Sequence, residues 1–311
     1  MAYLRIRDVA RRTPLEYSSF LSDVSGAEVY LKLENLQLTG SYKIRGALNK
    51  ILLLSEEQRR RGILAVSSGN HAQGVGYAAQ KLGIEATVVV PQNTPQTKID
   101  AIRRYGVNLI IYGSFYDEAE VKARELAKQS SMVFISPYND RDVIAGQGTV
   151  GLEICEQKPG LDAVLAPVGA GGLLSGVALA VKKLSPGTRV MGVQSRASPV
   201  MYESLKKGEI VDIPIQESIA EGLHGGIEKG AVSFDICREY VDEVLLVEEE
   251  DIRKAILGYL ENHHQIAEGS GAVGMAALLS SHGRFRDQKV VAVISGGNID
   301  LPLLKEIVLA I

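Results

Sequence analysis

Short apolar runs rich in β-branched residues alternate with longer stretches of helical periodicity along most of the chain. The runs predict seven strands, and several of them are apolar throughout, which is typical of strands covered on both faces. Their predicted bounds are 28–33, 63–68, 86–91, 107–113, 162–169, 189–194 and 289–295. Strands that alternate with helices favour an α/β fold with mostly parallel sheets and right-handed crossovers.

Helical periodicity fills most of the intervals between these strands. Ser41 is a candidate N-cap for the first helix, and Gly83 and Gly106 end the second and third. The predicted helices span 41–55, 70–83, 94–106, 117–129, 171–184, 249–264 and 270–282. The sequence has no internal repeat, low-complexity tract or obvious linker, so we expect two closely packed domains rather than two separate ones.

Composition and charge are those of an ordinary globular protein. Hydrophobic residues make up 46% and charged residues 23% of the 311 residues, and the formal net charge is −3. Lysines and arginines are scattered and form no basic stripe, so neither nucleic acid nor a membrane is expected as a partner. The apolar stretch 163–181 is interrupted by Pro167 and several glycines, which favours a buried strand, loop and helix over a membrane span.

The N-terminus and the cysteines indicate the compartment. The first residues lack the apolar stretch and cleavage site of a signal peptide. Cys155 and Cys237 have no metal-binding or redox spacing, so we interpret them as unpaired thiols in a reducing environment. These features predict a cytoplasmic protein.

Three clusters of small residues follow predicted strands, at 67–71, 169–173 and 295–298. In open parallel sheets, ligands bind at the carboxyl ends of the strands, where loops lead into helices. Three loops of this kind in one chain are therefore candidates for surrounding a single ligand.

The middle cluster, Gly169-Ala170-Gly171-Gly172-Leu173, is a candidate phosphate site. Its glycines allow backbone N–H groups to approach an anion, and the helix that follows presents its positive end there. It lacks the Lys-Ser/Thr ending of a nucleoside-triphosphate loop, and the region 191–194 lacks the acidic residue that would bind a dinucleotide ribose. A monophosphate is therefore favoured. Taken alone, however, the glycines are explained equally well by tight packing of a strand on a helix.

Lys43 changes that balance. It follows Thr39-Gly40-Ser41 and lies in the first turn of a predicted helix, beside the aromatic Tyr42. The positive end of a helix disfavours a charged lysine there, and the neutral amine is the form that forms an imine with a carbonyl compound. A solvated surface lysine is the ordinary alternative at a helix start.

At this point the chain resembles a known family. The segments SYKIRGA (41–47), SSGNHAQG (67–74), VGAGGLLSG (168–176) and SGGN (295–298), in this order, resemble those of the fold-type II pyridoxal-phosphate (PLP) enzymes. Within that family they are most similar to threonine and serine dehydratases and to serine racemases. The resemblance implies the tryptophan synthase β-like fold, with two packed open-sheet α/β domains. We expect a large PLP-binding domain of residues 1–45 and 140–311, and a small substrate-side domain of residues 46–139.

The resemblance also implies the roles of individual residues. Lys43 would carry the cofactor as an imine and act as the catalytic base, with Tyr42 packed beside it. Asn70 would bind the 3′ oxygen of the cofactor, and Ser295 would face its pyridine nitrogen. The phosphate would be bound by Gly169, Ala170, Gly171, Gly172 and Leu173. The substrate carboxylate would be bound by Ser67, Ser68, Gly69, Asn70 and His71, and Ser68 is the candidate proton donor on the face opposite the lysine.

These implied roles predict a lyase that removes the β-hydroxyl of L-threonine or L-serine and yields a 2-oxo acid and ammonia. A neutral hydroxyl at Ser295 favours loss of a β leaving group over transamination. Gln194 stands where racemase-like relatives carry a metal-ligating glutamate, so no metal is expected. Relatives of this kind suggest a homodimer or homotetramer.

Three alternatives remain open at this stage. An amino-acid racemase, or a lyase for another β-hydroxy amino acid, would use the same cofactor and scaffold. A nucleotide-binding α/β protein without PLP belongs to a different class, and it predicts a colourless protein where the enzyme is expected to be yellow.

Overall fold

The apolar runs form two sheets. The computed structural model describes residues 1–310. Within these residues lie ten strands: β1 (Leu15–Tyr17), β2 (Glu28–Leu33), β3 (Ile63–Val66), β4 (Ala86–Val90), β5 (Asn108–Ile111), β6 (Val133–Phe134), β7 (Ala163–Pro167), β8 (Arg189–Ser195), β9 (Glu243–Val247) and β10 (Lys289–Ile294). All neighbouring strands pair in parallel except β1, which is antiparallel to β2.

Helices connect most of these strands, as the sequence pattern predicts. The same residues contain the α-helices α1 (Ala2–Ile6), α2 (Ser19–Ser25), α3 (Lys43–Leu52), α4 (Glu56–Arg61), α5 (Asn70–Leu82), α6 (Gln96–Arg103), α7 (Tyr116–Ser130), α8 (Arg141–Gln147), α9 (Thr149–Gln157), α10 (Gly172–Leu184), α11 (Val200–Lys207), α12 (Val232–Tyr240), α13 (Glu249–His263), α14 (Gly269–Leu279) and α15 (Leu301–Leu309). The prediction of an α/β fold with mostly parallel strands is confirmed.

The larger sheet has six strands in the order β1-β2-β10-β7-β8-β9. Side chains alternate along β2, so Leu31 and Leu33 lie on one face of the sheet. There they belong to the same buried hydrophobic cluster as Val273 of α14. On the other face of β2, the fully buried Lys32 ammonium lies 2.6 Å from the Glu153 carboxylate of α9. A buried ion pair of this kind is strongly destabilised when either partner is removed.

The smaller sheet has four strands in the order β5-β4-β3-β6. Side chains alternate along β4, so Val89 packs with Ala119 and Ala123 of α7, whereas Val88 packs with Ala72 of α5. Both faces of this sheet are covered by helices, which explains why its central strands are apolar except for Thr87.

Contacts within the chain divide it into two compact units, one of residues 1–10 and 43–146, the other of residues 11–42 and the chain from 147 onward. The first unit contains the smaller sheet and the second the larger. The boundaries differ from the predicted ones, because the prediction assigns residues 1–10, 43–45 and 140–146 to the large domain. At the N-terminus the reason is a contact with α3, where the Arg5 guanidinium donates to the Asn49 side chain at 2.5 Å.

Several elements are absent from the sequence-based prediction. The missed strands are short or lie at a sheet edge, as β1, β6 and β9 do. Two-residue and three-residue strands contain too few positions for a periodicity of two to emerge from the sequence. The missed helices are α1, α2, α4, α8, α9, α11, α12 and α15.

Candidate active site

The loop that follows β7 is shaped to receive an anion. β7 ends at Pro167 and α10 begins at Gly172, so residues 169–171 make the turn between them. Gly171 is the N-cap of α10 and has a φ of 93°, a left-handed conformation that favours glycine. Within residues 1–310, the N–H groups of residues 169–171 make no hydrogen bond to a protein acceptor. These amides and the positive end of α10 are therefore available to a bound anion.

Close packing behind this loop explains its glycines. A β-carbon at Gly169 would lie 2.9 Å from the Leu223 Cα, and one at Gly171 would lie 2.8 Å from the Met201 methyl and 3.3 Å from the Cys237 sulfur. At Gly169 the contact is with backbone, which cannot move aside, so this position requires glycine. At Gly171 the Met201 methyl could move, and the positive φ together with the tight contacts requires glycine. Both interpretations of the glycines therefore apply: they allow tight packing, and they leave backbone amides free to bind an anion.

Ser295 follows directly after β10, at the same carboxyl end of the larger sheet. Its side chain is 2% exposed, and its Oγ lies 3.4 Å from the Ser270 carbonyl oxygen at the start of α14. A hydroxyl-to-carbonyl distance of 3.4 Å is long, so this hydrogen bond is weak and the hydroxyl can turn to a better partner.

A short pairing joins the loop after β10 to the segment before α3. Ser41 and Gly296 form an isolated antiparallel bridge, and the Tyr42 N–H donates to the Ser295 carbonyl at 3.1 Å. These bonds fix the backbone of the two residues that precede Lys43 in the chain.

The same pairing corrects one prediction. Ser41 does not cap the helix: α3 begins at Lys43, and the buried Ser41 Oγ has no hydrogen-bond partner among the described residues. The reason is that the backbone of Ser41 is in a β-type bridge with Gly296.

Lys43 is the first residue of α3 and is half-buried. Two glycines allow other helices to approach its backbone. A β-carbon at Gly74 of α5 would lie 3.0 Å from both the Lys43 carbonyl carbon and the Ile44 nitrogen, and one at Gly146 of α8 would overlap the Arg45 carbonyl. The turn that carries Lys43 is therefore held by packing on two sides.

The loop between β3 and α5 is more open. Ser67, Ser68, Gly69 and Asn70 are all half-buried, and the Gly69 N–H donates to the Ser67 hydroxyl at 3.1 Å. A β-carbon at Gly69 would meet nothing within 4 Å. The first amides of α5 thus lie beside free space, which suits the binding of a small carboxylate.

His71 is the buried member of this loop, with 2% of its surface exposed. Its Nε2 lies 2.8 Å from the Ile135 carbonyl oxygen and must carry the proton, because a carbonyl only accepts. Burial, and secondarily the charge of Lys43, lowers the pKa of His71 from 6.5 to about 3. The side chain is therefore neutral, and its Nδ1 is a bare acceptor with no partner in the described part of the chain.

The predicted site residues fall into two groups, one within each unit. In the unit of residues 1–10 and 43–146, α3 and α5 bring together Lys43 and the loop of Ser67, Ser68, Gly69, Asn70 and His71. In the other unit, β7 and β10 are neighbouring strands, and Ser295 follows the end of β10. Tyr42 is hydrogen-bonded to Ser295 through its N–H. The loop after β7 consists of Gly169, Ala170, Gly171, Gly172 and Leu173.

Comparison with known proteins gives the family. The sequence profile described as "Pyridoxal-phosphate dependent enzyme" matches residues 6–296. The chain belongs to this family. The predicted resemblance and the predicted cofactor are thereby confirmed.

Relatives and solved structures agree with this membership. The chain is 48% identical to the L-threonine ammonia-lyase of Thermotoga maritima over 304 residues, which are 97% of this chain and 75% of that protein. The structure of the processed form of threonine deaminase isoform 2 from Solanum lycopersicum has a TM-score of 0.93 at 38% identity and covers 97% of this chain and 88% of that one. The maize serine racemase structure has a TM-score of 0.93 at 34% identity and covers 99% and 95% of the two chains.

The residues of this PLP-dependent enzyme fit its cofactor. The unpaired amides at the start of α10 suit the dianionic phosphate, and a side chain larger than hydrogen at Gly169 or Gly171 would meet the packed residues behind them. The hydroxyl of Ser295 has only a weak partner. Lys43 is a primary amine, the kind of group that a cofactor aldehyde requires.

Two residues that support the loop of residues 169–173 are missed by sequence reasoning. Ser233, on α12, donates to the Ala170 carbonyl at 2.6 Å. Ser270, on α14, accepts from the Gly222 N–H at 2.8 Å, and Gly222 precedes the Leu223 that packs on Gly169. Both serines are distant from the loop in sequence and lie in no recognisable motif, so only the folded chain reveals them.

Among residues 1–310 we find no helix with the length and apolar character needed to cross a bilayer.

Proposed function

We propose that this PLP-dependent enzyme is an L-threonine ammonia-lyase that also accepts L-serine. It removes the β-hydroxyl of the amino acid and yields the 2-oxo acid and ammonia. The observation that carries the proposal is the 48% identity of this chain to a curated L-threonine ammonia-lyase. Three features of the structure support it: a lysine at a helix start, a loop of unpaired amides and a neutral serine at the end of β10.

We assign the cofactor contacts as the sequence predicts. Lys43 Nζ forms the covalent link, residues 169–173 bind the phosphate, and Ser295 faces the pyridine nitrogen. Asn70 binds the 3′ oxygen, and Tyr42 packs beside the ring. When bound, pyridoxal phosphate withdraws electrons from the Cα of the amino acid attached to it.

The substrate carboxylate is assigned to the first turn of α5. α5 begins at Asn70, and the positive end of its dipole lies at this first turn, where a negative charge is stabilised. The absence of any atom within 4 Å of a β-carbon position at Gly69 supports this assignment, because the space beside this turn is open. Ser67 and Ser68 add hydroxyl donors at the rim of the same space.

Lys43 acts as the general base. Its neutral amine takes the proton from the substrate Cα and holds it at Nζ. His71 does not compete for this proton, because burial lowers the pKa of its imidazole to about 3 and its Nδ1 is a weak base. The hydrogen bond from its Nε2 to Ile135 fixes the ring, so the side chain offers one acceptor in a fixed position.

The reaction balances as an elimination followed by hydrolysis. The Cα–H bond breaks with transfer of the proton to Lys43, and the Cβ–O bond breaks with loss of the hydroxyl. The proton taken by Lys43 and the hydroxyl together make up one water molecule, so Lys43 ends the cycle as the neutral amine. The enamine product tautomerises and is hydrolysed by one water molecule. L-Threonine thus gives 2-oxobutanoate and ammonia.

Ser295 favours this outcome over transamination. A carboxylate in its position would keep the pyridine nitrogen protonated, whereas a neutral hydroxyl does not impose a proton on it. The long bond from Ser295 to Ser270 supports this role, since it leaves the hydroxyl able to turn. We expect the Ser295→Asp variant to bind the cofactor and to eliminate at least about 10-fold more slowly. A Ser295→Asp variant with the parental kcat would contradict this role of Ser295.

The decisive experiment measures colour and product together. Purified protein with added cofactor is expected to be yellow, and borohydride is expected to trap the cofactor on Lys43, as peptide mass spectrometry would show. The protein should release 2-oxobutanoate from L-threonine and pyruvate from L-serine, in an assay over a panel of β-hydroxy amino acids. Lys43→Ala is expected to lower kcat by about 10³-fold or more.

A colourless parental protein, or a Lys43→Ala variant with parental turnover, would contradict the proposal. Ser295→Ala serves as a matched control, because it alters the same site without removing the base. Preferential turnover of a bulkier amino acid in the panel would instead identify a lyase for that substrate.

An amino-acid racemase is the second candidate. The similarity to maize serine racemase, with a TM-score of 0.93, and the position of Ser68 in the loop before α5 favour it. In a racemase, the Ser68 hydroxyl would deliver a proton to the Cα face opposite Lys43. Chiral analysis separates the two: D-serine formed faster than pyruvate from L-serine identifies a racemase, and loss of D-serine alone in Ser68→Ala assigns the proton donor.

We further propose a cytoplasmic homodimer or homotetramer, with residues 46–139 as the substrate-side domain. Two unpaired cysteines, Cys155 and Cys237, support a reducing compartment. Light scattering coupled to size-exclusion chromatography measures the assembly, and a mass equal to one chain would contradict it.

A further inference from the structure

Ser233 lies outside the phosphate loop in sequence but is bonded to its backbone. It is the second residue of α12, and its side chain is fully buried. Its hydroxyl donates to the carbonyl oxygen of Ala170 at 2.6 Å. The Ser233 Cβ would also lie 3.3 Å from a β-carbon at Gly171, so α12 packs directly against the turn.

The geometry of a peptide unit gives this bond its consequence. Ala170 C=O and Gly171 N–H belong to the same planar trans peptide, in which the two groups point in opposite directions. Because Ser233 holds the carbonyl on the side of α12, the Gly171 N–H must point away from α12. That N–H has no protein acceptor among residues 1–310.

The hydrogen bond from Ser233 also restricts the backbone conformation of Gly171, which as a glycine is otherwise flexible. Glycine reaches φ values of either sign at little cost, so Gly171 alone does not hold its φ of 93°. Rotation of the peptide before it would turn the N–H out of the loop and would leave the buried Ser233 hydroxyl without an acceptor. An unpaired buried hydroxyl is unfavourable, and the observed orientation is stabilised accordingly.

We propose that Ser233 is a positioning residue for the cofactor phosphate: by holding the Ala170 carbonyl, it aims the Gly171 N–H into the anion site before the cofactor binds. The inference rests on the proposed function, since it takes residues 169–173 as the phosphate site. It adds a residue that the motif of the loop does not contain. Preorganised donors bind an anion more tightly than donors that must be turned on binding.

The test compares two ligands that differ only in the phosphate. Apoprotein is titrated with pyridoxal phosphate and with pyridoxal, and both dissociation constants are measured by absorbance. For Ser233→Ala, we expect the dissociation constant of pyridoxal phosphate to rise about 3- to 10-fold, the range for loss of one net hydrogen bond. The dissociation constant of pyridoxal is expected to stay within about 2-fold, because the aldehyde end of the ligand is not touched. The ³¹P resonance of the bound phosphate should shift in the variant.

Ser204→Ala is the matched control. Ser204 is also fully buried, on α11, and its hydroxyl accepts from the Val211 N–H at 3.1 Å without contacting the loop. It should lower the melting temperature without changing either dissociation constant or the ³¹P shift. If Ser233→Ala does not fold, Ser233→Cys carries the test, since it keeps the side-chain volume nearly unchanged and offers only a weak S–H donor.

The outcomes separate this inference from the proposed function. A parental protein that binds pyridoxal phosphate, with Ser233 variants that bind it equally well, overturns the role of Ser233 alone. The same holds if the variants lose affinity for pyridoxal and for pyridoxal phosphate to the same extent, because that would indicate a general structural effect. A parental protein that binds neither ligand overturns the proposed function, and this inference with it.

Discussion

Two loops of this enzyme make the same turn from a parallel strand into a helix, but they are built differently. The proposed phosphate loop, residues 169–173, is backed by α11 and α12 and by the segment around Leu223, and glycine is required at two of its positions. The proposed substrate loop, residues 67–71, has open space at Gly69 and four half-buried residues, and only His71 is buried.

The difference follows from what each loop is expected to hold. A cofactor that stays bound through many turnovers is best served by donors fixed in advance, since no ordering cost then opposes its binding. A substrate must enter and leave in each cycle, so the loop that binds it needs accessible space as well as donors. Substitutions at matched positions of the two loops test this contrast.

Gly171→Ala is expected to have the largest effect. Alanine is strained at a φ of 93°, and its methyl would lie 2.8 Å from the Met201 methyl. We expect the free energy of unfolding to fall by about 1–3 kcal/mol and the dissociation constant of pyridoxal phosphate to rise at least about 10-fold. Urea unfolding and cofactor titration measure the two quantities. Parental values of both would show that the phosphate loop is not rigid.

His71, in the loop of residues 67–71, is expected to make the free energy of unfolding depend on pH. Its folded pKa, about 3, lies below the ordinary value of 6.5, so the unfolded chain binds the proton more readily. The stability contributed by neutral His71 is therefore complete well above pH 6.5, and it falls by about 1.4 kcal/mol per pH unit as the pH decreases from 6.5 towards 3.

His71→Gln removes this titration and keeps a donor for the Ile135 carbonyl. Urea unfolding of the apoprotein at pH 5 and pH 7 should show a smaller loss of stability at pH 5 in the variant, by about 2 kcal/mol. Residues 169–173 contain no titratable side chain, so Ser233→Ala should keep the parental pH dependence. Equal slopes for parental protein and His71→Gln would mean that the buried imidazole does not titrate as described.

Gly69→Ala is expected to have the smallest effect on stability. A methyl group there meets no atom within 4 Å, and the φ of Gly69 is −129°. The free energy of unfolding should change by less than about 0.5 kcal/mol, and the cofactor affinity by less than about 2-fold. The KM for L-threonine should rise, because the methyl occupies space assigned to the carboxylate. A loss of cofactor affinity as large as that of Gly171→Ala would end the contrast between the loops.

The fold class and the loops that carry the motifs can be predicted from the sequence, because both depend on residues that are close together in the chain. The apolar run of β7, the glycines after it and the helical periodicity of α10 are contiguous, and each favours the same strand, loop and helix. Lys43 is predicted at a helix start for the same reason, although the prediction of Ser41 as the cap is wrong. That error arises because the partner of Ser41 is Gly296, more than 250 residues away.

What surrounds the loops is decided only by the folded chain. Local pattern indicates where a helix starts to within about two residues, since helical hydrogen bonds join neighbours three or four positions apart. It does not determine that α12 brings the Ser233 hydroxyl to the Ala170 carbonyl, or that Ile135 fixes the tautomer of His71. Those contacts join residues about 60 positions apart, so they exist only where packing and chain topology place them.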